Sequence, residues 1–376
     1  MTRVLSLIWY KVFPAQFGGQ KGIAEFTQYL SRFVEVHVLC SENNKLSEPD
    51  FGFDNSLPVH KRQFFSWRVF RKIRKAVTDN RATHLLIEHP YYGLLAVRIA
   101  RRAGIPLVVH AHNLEFDRFR EMGRWWWPIL YLLERYTLRQ AELTMFKTLE
   151  DRDRAIRLFG LQESRTMLVP FGITRKHPAT KEERAVARKA LEVRHGIPSS
   201  YKILLFNGTL DYEPNARALR HLVADILPAL SRISDDFMLV ITGRNEWPEY
   251  AYLKELRHDR MLQAGHVAEV ETYFLGADLF LNPVDTGGGI KVKLMEALSY
   301  GLPVLSYRSG ARGIDPTVCG GQLVVVDDRD VRSLVEQIPR CWNSAGGTPS
   351  AFFDRYQWES IVKEVADRLS RLRSND

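Results

Sequence analysis

A chain of 376 residues with 45% hydrophobic and 26% charged content is too long for one ordinary core and predicts two soluble domains. No run of about 20 apolar residues is present to span a bilayer, and Cys40, Cys319 and Cys341 are too few and too far apart for a disulfide framework or zinc site, which favours a reducing compartment. The formal net charge of +9 calls for an anionic partner: a lipid surface, a phosphorylated substrate or nucleic acid.

Taken in order, the segments alternate between strand and helix, the pattern of parallel α/β architecture. The opening residues read as a first strand, with no long apolar run and small-residue cleavage site to mark a secretory leader. Strands are predicted at 4–10, 34–40, 84–87, 106–110, 141–147 and 166–169, with helices at 21–33, 66–78, 91–102, 128–139 and 149–158 between them. Residues 179–192 are helix-rich and charged, and Gly196-Ile197-Pro198-Ser199-Ser200 reads as linker. A second series follows, with strands at 202–206, 237–242, 261–264, 277–281, 303–307 and 322–326. Helices are predicted at 215–231, 269–275, 290–300 and 331–341, and an amphipathic helix closes the chain at 356–372.

The richest motif is Asp285-Thr286-Gly287-Gly288-Gly289-Ile290-Lys291-Val292-Lys293, leading into a helix that carries Glu296. Glycines let a backbone approach a ligand, and free N–H groups at a helix start attract anions. The lysines add charge for a diphosphate and Glu296 offers a carboxylate to sugar hydroxyls, so the segment describes a nucleotide-sugar site. The competing reading is an exposed i,i+3 pair of Lys293 and Glu296, worth about 0.2–0.5 kcal/mol.

Several ordered landmarks resemble retaining glycosyltransferases of family 4. Gly208-Thr209-Leu210-Asp211-Tyr212-Glu213-Pro214-Asn215, Ile241-Thr242-Gly243, Gly265-His266-Val267 and Gly287 through Val304 match the nucleotide-binding half, and Tyr356-Gln357-Trp358 matches the closing helix. Gly18-Gly19-Gln20-Lys21-Gly22, His110-Ala111-His112-Asn113 and Val169-Pro170-Phe171-Gly172 match the other half less specifically. The common pattern has a glutamate eight residues before Glu296, where this chain has Gly288, and the usual Arg…Lys-Gly pair after the Gly208 turn is missing. A subgroup reading Gly-x-Gly-x-basic-x-Lys before the glutamate fits instead, with Lys291, Lys293 or Arg217 supplying the phosphate charge.

The resemblance implies a GT-B fold: two Rossmann-like α/β domains whose parallel sheets face a central cleft. Its expected parts are an acceptor domain at 1–175, a linker at 176–200, a nucleotide-sugar domain at 201–355 and a helix at 356–376 crossing back toward the first domain. The implied activity is transfer of a sugar from an NDP-sugar to a glycan or lipid-linked acceptor, with retention, in cell-surface glycan biosynthesis. The alternatives are a nucleotide-sugar epimerase on the same fold and a catalytically degenerate nucleotide-sugar-binding protein. His112, Lys293 and Glu296 are the expected catalytic group. Gly208, Thr209, Arg244, Val267, Gly287, Gly288, Gly289, Ile290 and Lys291 are expected on the donor, and Gly18, Gly19 and Gln20 in the acceptor loop. No metal or other cofactor is expected.

Competing readings stand at several positions. His112 is expected to donate from an uncharged imidazole to a sugar hydroxyl, whereas His110 is assigned to the core, pointing the other way. Glu115 is either a supporting group or a helix N-terminal charge. Gly19 marks a close approach to ligand or a tight turn, and Arg244 lines a base pocket or a solvated loop. The basic-aromatic block at 61–75 and Trp125-Trp126-Trp127-Pro128 suggest peripheral docking on the inner face of a membrane, against ordinary packing beneath a charged surface. No nucleic-acid-binding module accompanies the block. The expected location is cytoplasmic.

Overall fold

The computed structural model describes residues 1–16, 18–287, 289–344 and 346–372. The chain divides into two compact units, Met1–Gly172 with Trp358–Asp376, and Ile173–Gln357. Each is built on one wholly parallel sheet with helices on its faces.

Unit 1 contains β1 (Arg3–Ile8), β2 (Glu35–Ser41), β3 (Gly52–Leu57), β4 (His84–Glu88), β5 (Leu107–Ala111), β6 (Leu143–Phe146) and β7 (Thr166–Leu168), in the order β3-β2-β1-β4-β5-β6-β7. Parallel strands buried on both faces need near-continuous apolar runs. Leu5, Leu7, Leu85, Ile87, Val108 and Val109 supply them at 0% exposure. The predicted strands all appear, within a few residues. β3 was not predicted: Phe53-Asp54-Asn55-Ser56 is half polar, which a sheet tolerates at its edge.

Unit 2 contains β8 (Lys202–Asn207), β9 (Phe237–Thr242), β10 (Met261–Gly265), β11 (Leu279–Asn282), β12 (Val304–Tyr307) and β13 (Leu323–Val326), ordered β10-β9-β8-β11-β12-β13. The 176–200 stretch expected as linker holds the helix Lys181–His195, opened by a Thr180–Glu183 capping box and closed by Gly196 at φ 64. Its Leu191 is buried in the core of unit 2. The single helix predicted at 215–231 is interrupted by a π-turn over Leu222–Ile226, just before Pro228, whose missing N–H breaks the regular ladder. The helix predicted from Ile290 starts at Val292, with Lys291 extended ahead of it at φ −92 and ψ 96. Short helices at Glu115–Glu121 and Ser350–Tyr356 were not predicted.

The helix Trp358–Arg371 belongs to unit 1, where it packs on the helix Gly18–Leu30. Trp358 anchors it: the ring is wholly buried near Phe26 and Phe171, and the indole N–H donates to Glu25 at 2.6 Å. Trp358→Ala should destabilise the chain by about 3–5 kcal/mol and lower its thermal midpoint in calorimetry; an unchanged midpoint would remove Trp358 as the anchor.

Candidate functional site

In open parallel sheets, ligands bind beyond the carboxyl ends of the strands where the strand order reverses. In unit 2 that point lies between β8 and β11. The loops there are stitched together by backbone bonds: Gly208 N–H to Thr242 O at 3.0 Å, Leu210 N–H to Arg244 O at 2.8 Å and Gly243 N–H to Gly265 O at 2.8 Å. Gly243 has φ 145, and a Cβ would stand 1.8 Å from Gly208 O, so only glycine allows the approach. Gly208, Thr209 and Arg244 are thereby gathered along one edge, while Val267 is half-buried against the core of unit 2. The Arg244 guanidinium lies 3.9 Å from Asp211 and 3.6 Å from Glu246.

The glycine run comes in from β11. Gly287 and Gly289 have φ 88 and 70, and Gly288 lies outside the described residues. A Cβ on Gly287 would sit 3.1 Å from Tyr212 Oη and 3.3 Å from Pro214 Cγ, so the run lies against the Gly208 turn. The Lys291 ammonium donates to Gly287 O at 2.8 Å and to Gly289 O at 3.4 Å. Lys293 Nζ donates to Asn215 Oδ1 at 3.1 Å and lies 4.6 Å over the Phe206 ring. Asn215 in turn donates to Thr209 O at 2.8 Å, so Lys293 braces the neighbouring turn instead of pairing with Glu296. Burial, then repulsion from Lys291, brings its ammonium down to about 7. Ile290 and Glu296 are half-buried on the same segment. Arg217 and Arg329 both bind Asp285, at 2.7 and 2.6 Å, beside a cavity of about 470 Å³.

In unit 1 the order reverses between β1 and β4. Glu88, at the end of β4 and wholly buried, accepts hydrogen bonds from His112 Nε2 at 2.6 Å and His110 Nδ1 at 3.3 Å. His110 therefore does not point away from His112: residues two apart on a strand share a face, and the rings lie 4.3 Å apart. Burial alone would raise the Glu88 carboxyl, but the two imidazoles hold it well below its usual range. Burial brings His110 down to about 4 and keeps His112 well below the usual imidazole value, against the opposing pull of Glu88. An ionised Glu88 can only accept, so His112 carries its proton on Nε2. Its Nδ1 is left as an acceptor, opposite to the donor expected from sequence.

A second pair adjoins the first. His89 stacks on His112 at 4.6 Å, and its Nδ1 lies 3.1 Å from the buried Glu115, which also accepts from Tyr91 Oη at 2.7 Å. Burial favours the neutral Glu115 acid, yet the His89 hydrogen bond and the nearby Arg118 hold it at about 2. Glu134 accepts from the Glu115 and Phe116 amides at 3.1 Å each, and burial raises its carboxyl well above the usual range. Sequence reasoning missed Glu88, His89 and Glu134. The available signal was His89-Pro90-Tyr91-Tyr92-Gly93 after a strand, the place His112 holds after the next strand.

In the acceptor loop, Gln20 donates to Lys11 O at 2.9 Å and accepts from Gln16 N–H at 2.7 Å. Gly18 and Gly19 open the helix, and a Cβ on Gly19 would meet nothing within 4 Å. Glu88, His110 and His112 bring three potential metal-ligand atoms within 4.8 Å of one another, the nitrogen and oxygen donors that suit a transition ion. Here those atoms are engaged in hydrogen bonds with each other.

Lys147 Nζ is buried without a hydrogen-bond partner among the described residues, 5.6 Å from the Trp358 ring. Burial, partly opposed by Glu88, brings it from 10.5 to about 7. Between those values the unfolded chain binds a proton that the folded chain does not, so stability rises with pH across the window. Lys147→Met should raise the thermal midpoint at pH 7 and flatten that alkaline rise, leaving the share due to Lys293. Melts of both proteins across this range test it, and an unaltered pH profile would refute it.

Two family models match this chain: "Glycosyltransferase Family 4" over residues 18–177 and "Glycosyl transferases group 1" over residues 201–344. Among curated relatives, alpha-monoglucosyldiacylglycerol synthase of Streptococcus pneumoniae is 27% identical over 276 residues, 69% of this chain and 58% of that protein. EpsD of Bacillus subtilis is 26% identical over 194 residues, 49% of this chain and 48% of that protein. The chain thus spans about half the length of these relatives. Among solved structures, HepE of Anabaena, determined in complex with UDP, superposes with TM-score 0.73 at 14% identity, covering 99% of this chain and 100% of that one. Sucrose-phosphate synthase of Thermosynechococcus elongatus gives 0.72 at 15% identity, covering 98% of each chain. With two parallel sheets each flanked by helices, and one of these matches on each unit, the chain is a GT-B-fold protein related to the glycosyltransferases of family 4 and group 1.

Proposed function

We propose that this chain transfers a sugar from a nucleoside diphosphate sugar to a hydroxyl of a glycan or lipid-linked acceptor, with retention, during cell-surface glycan synthesis. The observation that carries the reading is the meeting of the Gly208 turn and Gly287 where the strand order of unit 2 reverses. Departure of a diphosphate needs preorganised positive charge. The Gly289 amide, the N-terminus of the helix Val292–Ser299 and Lys291 would supply it, with Lys291 exchanging its own loop's carbonyls for phosphate oxygens. Glu296 would hold ribose hydroxyls, and His112 Nδ1 would accept from a hydroxyl of the transferring sugar. The UDP complex of HepE supports a uridine nucleotide, and the family 4 match supports retention. One relative is named for a glucosylated diacylglycerol, which supports a lipid acceptor.

Glu296→Ala should weaken UDP binding about 10-fold in calorimetric titration; unchanged affinity would take Glu296 out of the site. His112→Ala should lower turnover of UDP-sugars about 100-fold with UDP affinity unchanged, and full turnover would make His112 a packing residue.

The same reading includes peripheral contact with the cytoplasmic face of a membrane through unit 1. Phe65, Trp67, Trp125, Ile129 and Leu132 are 72%, 63%, 83%, 64% and 62% exposed. Arg62, Arg68, Arg71, Arg74 and Lys75 stand exposed beside the first pair, and Arg124, Arg135 and Arg139 beside the others. Interfacial aromatics with flanking cations suit anionic headgroups. Trp126, Trp127 and Phe70 pack into or against the core instead. Among the described residues no helix is long and apolar enough to cross a membrane. The protein should sediment with phosphatidylglycerol vesicles, lose them at high salt, and bind less when Trp125 and Ile129 are both changed to Ser. Equal binding to phosphatidylcholine vesicles, or none to either, would defeat the membrane assignment.

A further inference from the structure

We propose that His89, held by Glu115, is an acceptor-binding residue whose Nε2 accepts a hydrogen bond from the attacking hydroxyl; this rests on the transferase reading above. His89 follows β4 at the reversal of strand order in unit 1, the position where a sheet of this kind offers a ligand site.

Three observations converge on it. The backbone of His89 stands at φ 69 and ψ 160, a region that only glycine enters freely, and side chains kept there cluster at functional sites. The ring is oriented by two groups in series: Nδ1 faces the buried Glu115 at 3.1 Å, and Glu115 is itself fixed by Oη of the half-buried Tyr91 at 2.7 Å. An ionised carboxylate accepts only, so Nδ1 is the N–H, and the tautomer this contact selects carries its lone pair on Nε2. That atom has no hydrogen-bond partner among the described residues, and the side chain retains 9% exposure. His112 stacks alongside at 4.6 Å with its own lone pair on Nδ1, tied to Glu88 in the same manner. Two adjacent imidazole acceptors, each backed by a carboxylate, suit a ligand rich in hydroxyl donors. A phosphate would bring only further acceptors at neutral pH. The class this edge selects is therefore an alcohol, as on a sugar or glycerol backbone.

The test uses the full chain with UDP-glucose, UDP-galactose, ADP-glucose and GDP-mannose as donors and a bacterial lipid extract in detergent as acceptor source. Two variants accept the backbone at 89: His89→Gly removes the acceptor atom, and His89→Asn keeps an amide oxygen. His89→Gly should fold with an undiminished thermal midpoint, bind UDP as tightly as wild type, and need about 10-fold more acceptor for half-maximal rate. His89→Asn should fall between the two, and added imidazole should restore part of the loss in His89→Gly. An unaltered acceptor requirement in His89→Gly, or losses in UDP affinity and midpoint equal to the loss in acceptor, would overturn the assignment while leaving the transferase reading in place. Failure of the wild-type chain to release nucleoside diphosphate from any donor would overturn both.

Discussion

Each sheet grows in one direction from its first strand, then in the other, and the chemistry of both units depends on that reversal. β1 pairs with β2 on one side and β4 on the other, and β8 likewise with β9 and β11. Right-handed crossovers then carry the chain to opposite faces of the sheet, leaving the carboxyl ends of the central pair uncovered. Backbone amides and side chains at those ends are free to meet a ligand. The Gly208 turn and the glycine run occupy that gap in unit 2, and His89 occupies it in unit 1. Neither cluster is formed by residues close in sequence; strand order alone assembles them.

The two gaps handle charge differently. Unit 2 presents peptide N–H groups and lysines, and in the free protein the lysines are satisfied by their own surroundings, Lys291 by loop carbonyls and Lys293 by Asn215. A diphosphate would replace the first set of bonds without disturbing the second. Unit 1 instead buries two carboxylates, each an expensive group to remove from water. Glu88 and Glu115 stay ionised because imidazole N–H groups solvate them, and fixing those N–H groups fixes the tautomer of each ring. Glu134, lacking an imidazole, has its carboxyl pushed the other way by the same burial. Whether burial favours the charged or the neutral form of these acids thus depends on the imidazoles beside them.

Much of the fold was legible because its signals are local. Apolar runs such as Leu204-Leu205-Phe206 and Val108-Val109 are set by burial on both faces, and Thr180 with Glu183 marks a helix start within four residues. Polar edge strand β3 and the π-turn at Leu222–Ile226 carry no such signature, since an edge needs only one buried face and a π-turn looks helical in periodicity. The glycine run announced itself by composition. Glu88, by contrast, reads as an ordinary strand end until pairing with β5 brings it opposite His110. Tautomers are further from reach, because they depend on partners more than twenty residues away.

Positive-φ positions show what the chain reserves for side chains. Gly104, Gly160 and Gly196 end helices at φ 64–66, where no side chain is required and glycine relieves the strain. Glu48, Arg81 and Arg329 also stand at positive φ, at 48, 47 and 65. His89 couples the largest φ of these described non-glycine residues, 69, with an extended ψ of 160. A glycine there would remove about 1–3 kcal/mol of strain. Strain of that size at the uncovered end of β4, next to a second carboxylate-bound imidazole, marks a position where the ring itself is what the site requires.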